Sequence, residues 1–245
     1  MDTLPDELIP ANDAHRLRTL HQYRILNTTP EPVFDEYVAL AAQLFNLPIS
    51  LISLVNEQEV FFKANTGMPG LERVDRPDSL CSAAVLQDKV LSFEDLSANS
   101  CQLINPYMAQ SAGLRFYAGA ALRMPNGDNI GSLCVIGREP RAITAGEEAL
   151  LMDLADLASR TIQLRQLMLD SGQLREWQQV QAELQELLHD NSALARYLTS
   201  RTGTVSANEV DLRGVQQRLQ VLHRSLDRHM AEVARLSPSA NQENQ

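Results

Sequence analysis

The chain is expected to form an α+β domain, a central antiparallel sheet flanked by helices, followed by a long α-helical C-terminal extension. Three observations carry that expectation. Residues 48–56 (PISLISLVN) and 60–65 (VFFKAN) are β-rich runs either side of a polar turn, and 114–123 with 130–137 repeat the arrangement across Asn126-Gly127, a strong hairpin signal. Ahead of both pairs, apolar residues recur at helical spacing. From Thr144 onward the period changes to a heptad-like seam that continues almost to the end of the chain.

Composition bounds the function. At 245 residues, 44% hydrophobic and 21% charged, the chain has globular composition and room for one ordinary domain plus an extension, or for two small domains. A net charge of −10, from 31 acidic and 21 basic residues, argues against a surface that neutralises phosphates or lies on anionic lipid. Neither a nucleic-acid nor a membrane partner is therefore expected. No window reaches the ~20 apolar residues that span a bilayer, and Met1 to Asn12 lacks a basic run followed by an apolar stretch. Three cysteines, Cys81, Cys101 and Cys134, match neither a disulfide framework nor a zinc pattern. A reducing cytoplasm fits these features.

Residues 1–12 read as a flexible lead, and Asn12 as the cap of a short helix carrying Leu17, Leu20 and Tyr23. Pro30 and Pro32 open a second helix with Phe34, Tyr37, Val38, Ala41, Leu44 and Phe45 on one face, closed by Asn46 and Pro48. The first hairpin follows. Thr66 to Asp78, with Gly67, Pro69, Gly70 and Pro77, reads as a loop. A short helix is expected over Ser79–Leu86, with Cys81 in its first turn, and a short strand over Lys89–Phe93. Asp95 to Gly113, broken at Asn105-Pro106, is a long connection of the kind that tends to carry function.

In the extension, Leu150, Leu154, Leu157, Leu164 and Met168 form the first seam. The phase slips at Ser171-Gly172, where a kink or change of partner is expected. Leu174, Trp177, Leu184, Leu188, Ala195 and Leu198 then continue it, interrupted by polar Gln181 and Asn191. Residues 201–205 break the helix, Ser206 with Glu209 offers a capping box, and Leu212, Val215, Leu219, Leu222, Leu226, Val233 and Leu236 form a last seam. The division that follows is 13–165 for the domain, 166–236 for a coiled coil or helical hairpin, and 237–245 for a disordered tail.

Three segments together resemble the GAF domain of bacterial signalling proteins. They are residues 21–35 (HQYRILNTTPEPVFD), 79–86 (SLCSAAVL), and 113–122 (GLRFYAGAAL) leading to 131–137 (GSLCVIG). The resemblance implies a PAS-like sheet with helices on one face and a loop-enclosed ligand pocket on the other. GAF domains bind cyclic nucleotides, linear tetrapyrroles, small acids, haem or nothing at all, so no cofactor follows from the resemblance. Many act as dimers that pass a signal along the last helix. It thus implies a non-catalytic sensor, homodimeric through its C-terminal helices, that relays a ligand or redox signal to itself or to a partner such as a sensor kinase. Two alternatives stay open: a cysteine-dependent reductase of the free methionine sulfoxide type, and a ligand-free structural adaptor.

Cys81, at a helix start, has the setting of a reactive thiol or of a small buried hydrophobe beside the pocket. Cys134, on a strand, reads as core, and Cys101 as an incidental loop residue, although Cys81 and Cys101 can approach each other across a pocket. Bilin attachment is disfavoured by the absence of an Asp-Ile-Pro stretch and a Cys-His pair. Asp75, Arg76, Ser79, Asp95, Asn105 and Arg115 are the polar candidates for orienting a small ligand. Phe62, Phe93, Phe116 and Tyr117 are the candidates for apolar lining. Each also has an ordinary role, in loop hydrogen bonding, a surface ion pair or core packing. The five histidines lack a kinase-type phosphoacceptor context and read as surface residues.

Overall fold

The computed structural model describes residues 6–98 and 111–236. Helices α1 (Asp13–Gln22) and α2 (Pro32–Leu44) precede strands β1 (Ile49–Val55), β2 (Glu59–Thr66) and β3 (Arg73–Asp75). The short helix α3 (Leu80–Ala84) and strand β4 (Leu91–Phe93) lead to the hairpin β5 (Phe116–Arg123) and β6 (Asn129–Gly137). Helices α4 (Ala145–Asp170), α5 (Leu174–Thr202) and α6 (Glu209–Leu236) complete the chain as described.

The six strands form one antiparallel sheet in the order β3-β2-β1-β6-β5-β4, so the two hairpins join through β1 and β6 at its centre. Their close approach explains Gly131, where a Cβ would lie 1.9 Å from the Ser53 carbonyl oxygen. Strand β3 lies inside the segment expected to be a loop. Three residues flanked by glycines and prolines are too few to show an alternating pattern, and their pairing with Glu59–Phe61 supplies what the local sequence does not.

One face of the sheet carries α2 and α4; α3 and its neighbouring segments lie on the other. Thr144 and Glu147 make a reciprocal capping box that starts α4. Tyr37 of α2 bonds Thr161 of α4, 2.9 Å apart, and Arg165 of α4 reaches Glu31 at the start of α2, so the two helices run antiparallel. The extension then turns at Ser171-Gly172-Gln173, with Gly172 at φ +70, and folds back. Trp177 lies at Glu31 and His189 near Glu36, so α5 runs along α2. His223 meets Asp153, and Arg160 meets Asp227, so α6 runs along α4. Glu183 of α5 accepts from Ser225 and also faces Arg228 and His229, joining the two tail helices. The result is a second helical layer stacked on the first, with Leu184, Leu188, Leu219, Leu222 and Leu226 fully buried between them.

Several local expectations need correction. Leu8 is buried and its carbonyl accepts from Arg76 at 2.8 Å, so the end of the supposedly flexible lead is packed. Asn12 does not cap α1 through its side chain, which donates instead to Asp128. Asn208, not Ser206, stands before α6, its Oδ1 accepting from Val210 N. Leu174 and Leu236, at the ends of their seams, are exposed. His223 and His229 are bonded between helices, contrary to the surface reading. The boundary expected at residue 165 falls within the continuous helix α4. The tail expected over 237–245 and residues 1–5 of the lead lie outside the described residues.

Candidate functional site

On the face away from α2 and α4, a cavity of about 110 Å³ opens between the sheet and α3. Strand alternation aims Leu51, Phe62, Tyr117 and Ile136 into it, while Leu71, Ser79, Cys81 and Leu114 close its sides. Usual small-molecule sites measure about 300–1,000 Å³. This one is nearer the ~150 Å³ void that admits benzene. As it stands it suits a compact, largely apolar molecule, with Asp78 and Ser79 at one side as polar contacts.

Cys81 and Cys134 meet at the cavity wall, their sulfurs 3.8 Å apart. Ser79 caps α3 by accepting from Cys81 N at 3.2 Å, which turns the Cys81 side chain toward the sheet. Cys134 occupies β6 opposite both Leu51 of β1 and Gly119 of β5. Gly119 has a physical reason: a Cβ there would lie 2.3 Å from the Tyr117 hydroxyl oxygen, because the Tyr117 ring lies over it. That placement brings the Tyr117 hydroxyl to 3.8 Å from Cys81 Sγ.

The Cys81 thiol is lowered to about 6 by its hydrogen bond with Cys134, aided by the hydroxyls of Ser53, Ser132 and Ser79 and opposed by burial. Cys134 is pushed well above the ordinary thiol value by its bond to Cys81 and by burial. Burial and the neighbouring sulfurs also push the Tyr117 phenol up, which keeps it protonated. Cys101, by sequence an incidental loop residue able to approach Cys81 across a pocket, lies outside the described residues. The structure places Cys134 beside Cys81, a partner that the strand pattern assigns to the core because nothing local to a strand shows what crosses over it.

Of the candidate residues, Phe62, Ser79, Cys81 and Tyr117 line the cavity. Phe93 packs nearby in the same apolar cluster without reaching it. Phe116 lies on the opposite face, among the α2 and α4 side chains, with the Arg141 guanidinium 5.1 Å above its ring. Adjacent strand residues point to opposite faces, so Phe116 and Tyr117 cannot share one cavity. Asp75 is exposed on an edge strand. Arg76 is fully buried and bound to Asp13 and Leu8, a structural role. Arg115 and Asp95 form a two-point ion pair at 2.9 Å on the surface, and the bonds from Arg115 and Ser97 hold the Asp95 carboxyl well below its usual range. Asn105 lies outside the described residues.

A second cluster connects the cavity wall to the tail. Lys63 follows Phe62 on β2 at the point where the β1–β2 register shifts, and its ammonium lies on the helical face, over the Phe34 ring and 2.8 Å from Glu31. Glu31 also accepts from Arg165 of α4 at 2.8 Å and from Trp177 of α5 at 3.1 Å. Sheet, last domain helix and tail thus share one nearly buried carboxylate. The sequence offered no signal for it beyond the residue types, because its members span residues 31 to 177.

A family model for the GAF domain matches residues 29–162, more than half of the chain, and the chain belongs to that family. It is 35% identical over 144 residues to a cyclic di-GMP phosphodiesterase of Pseudomonas aeruginosa, a stretch that covers 59% of this chain and 24% of that protein. Among solved structures, the GAF domain of PixJ from Thermosynechococcus elongatus, in its blue-light absorbing form, is 14% identical with a TM-score of 0.49, over 69% of this chain and 98% of that one. A type II free methionine-R-sulfoxide reductase from Thermoplasma acidophilum is 16% identical with a TM-score of 0.46, over 54% and 91%. The expectation of a non-catalytic protein is corrected by the first of these relatives, which is named as an enzyme, this chain spanning about a quarter of its length. No helix among the described residues is long and apolar enough to cross a membrane.

Proposed function

We propose that the chain is a sensory GAF module that reads a compact apolar ligand in the cavity and relays occupancy to its docked helical tail. The output is control of cyclic di-GMP phosphodiesterase activity. The observation that carries the relay is the adjacency of Phe62 and Lys63: one lines the cavity, and the other is tied through Glu31 to α4 and to Trp177 of the tail. A ligand that shifts Phe62 rotates or translates β2, and that movement strains the Lys63–Glu31 bond. Equilibria of this kind shift only by the difference in ligand affinity between the two states. The 35% identity to a cyclic di-GMP phosphodiesterase supports the output.

The docked tail is the resting state in this proposal. Apart from Leu174 and Leu236 at their ends, its seams are covered within one chain, so pairing with a second copy or with another signalling protein follows release. Docking is not optimal, which favours release: the buried Asn191 Oδ1 and Ser192 Oγ of α5 have no hydrogen-bond partner among the described residues. Trp177, the chain's one tryptophan, is 2% exposed and reports on docking. Benzene titrated into the full chain is expected to red-shift Trp177 emission to saturation, and Ala112→Leu, which fills the cavity from a residue of its lining, is expected to abolish the shift. Benzene binding seen by NMR without any change in emission would refute the relay, and absence of binding would refute the pocket.

A further inference from the structure

The relay makes no use of the two buried thiols, and their placement supports a chemistry of its own. Cys81 forms part of the cavity wall, whereas Cys134 lies behind it on a central strand, 3.8 Å away. A small molecule in the cavity therefore meets Cys81 first. Both residues are nearly inaccessible, at 2% and 0% exposure, which shuts out bulky reagents. The Tyr117 hydroxyl and the hydroxyls of Ser53, Ser79 and Ser132 converge on Cys81, an environment that favours its thiolate.

We infer that Cys81 and Cys134 form a modification site, in which small hydroperoxides oxidise Cys81 and Cys134 resolves the product to an intramolecular disulfide. In the first step the Cys81 thiolate attacks one oxygen of the hydroperoxide. An S–O bond forms, the O–O bond breaks, and the departing alkoxide, or hydroxide from hydrogen peroxide, takes up a proton. In the second step the Cys134 sulfur attacks the sulfenic sulfur. An S–S bond forms, the S–O bond breaks, and hydroxide leaves as water with the Cys134 proton. The two thiols lose two electrons in all, and the hydroperoxide gains them, ending as an alcohol and water. Closing the sulfurs to about 2.05 Å requires movement. Strand β6 is paired on both sides, so the five-residue helix α3 is the element that shifts, and the cavity wall moves with it. The inference rests on the cavity described above, and not on the relay to the tail.

The test uses the full chain carrying Cys101→Ser, so that only these two thiols remain, exposed to hydrogen peroxide and then denatured and alkylated. The expected product is about 2 Da lighter, takes up no alkylating reagent, yields a linked Cys81–Cys134 peptide pair, and reverts with dithiothreitol. Adding Cys134→Ser is expected to stop the reaction at oxygenated Cys81. Adding Cys81→Ser instead is expected to slow oxidation of Cys134 by roughly tenfold or more relative to Cys81 in the matching chain. Complete alkylation of both thiols after peroxide, or equal oxidation rates in the two single-thiol chains, overturns the inference. Trp177 emission read on the same samples separates the two proposals: a disulfide without an emission change keeps the thiol site and counts against the relay.

Discussion

Replacing Glu31 by Gln tests the link between sheet and tail most directly. The Lys63 side chain is fully buried and Arg165 is 9% exposed, so both cations depend on the Glu31 carboxylate in a poorly solvated place. Removing one partner of such a pair costs about 3–5 kcal/mol. Lys63 keeps Thr28 Oγ1 at 2.7 Å and the Thr29 carbonyl at 2.9 Å, which places the loss at the low end, about 3 kcal/mol. For a chain of this size that corresponds to a fall of about 6–12 °C in the thermal midpoint. Burial lowers the Lys63 pKa, and Glu31 opposes that lowering, so the variant should lower it further. A folded-state pKa below the unfolded one means that the folded form sheds its proton first. The deficit of the variant should therefore shrink as pH rises from the variant's folded pKa to the parent's, both of which lie below the unfolded value of about 10.4. Circular dichroism melts across pH, with Trp177 emission recorded in parallel, provide the assay. A midpoint within 2 °C of the parent, or a deficit that does not change with pH, would refute the electrostatic reading.

Other positions yield separate expectations. Asp128 is buried, and although burial raises its pKa, bonds from Thr19, His15 and Asn126 leave it lowered overall. Its stabilisation is then present above the unfolded carboxylate pKa of about 3.9 and is lost as pH falls through the folded value. Asp128→Asn should cost about 1.5–3 kcal/mol at pH 7, and the gap from the parent in urea midpoints should close on acidification; a gap unchanged down to pH 2 would contradict this. Gly131→Ala places a Cβ against the Ser53 carbonyl and should separate β1 from β6, read as loss of soluble, cooperatively melting protein. Asn191→Leu removes a buried unpartnered oxygen and should raise the melting midpoint by about 2–4 °C, for about 1 kcal/mol. An unchanged or lowered midpoint would show that Asn191 is not a weak point of tail docking.

The thiol pair shows how a structural residue type acquires chemical potential through its neighbours. Cys134 alone is a small side chain on a central strand, and Cys81 alone is the first-turn residue of a five-residue helix. At 3.8 Å they polarise each other, so the thiolate is favoured on Cys81 and disfavoured on Cys134. That asymmetry is what distinguishes an attacking thiol from a resolving one.

Periodicity by itself determined the hairpins, helices α2 and α4, and the tail seams, because side chains in these elements repeat every two or every three to four residues whatever they pack against. Alternation likewise implies that Phe116 and Tyr117 face opposite ways, so that only one of these two candidates can line the pocket. Only the tertiary structure decided what those faces meet: that the tail folds back on α2 and α4, that Cys134 stands beside Cys81, and that Glu31 joins Lys63, Arg165 and Trp177. These are pairings between residues distant in sequence. Their free energy comes from burial and electrostatics at the point of contact, and no local pattern encodes which of several apolar or charged partners will arrive there.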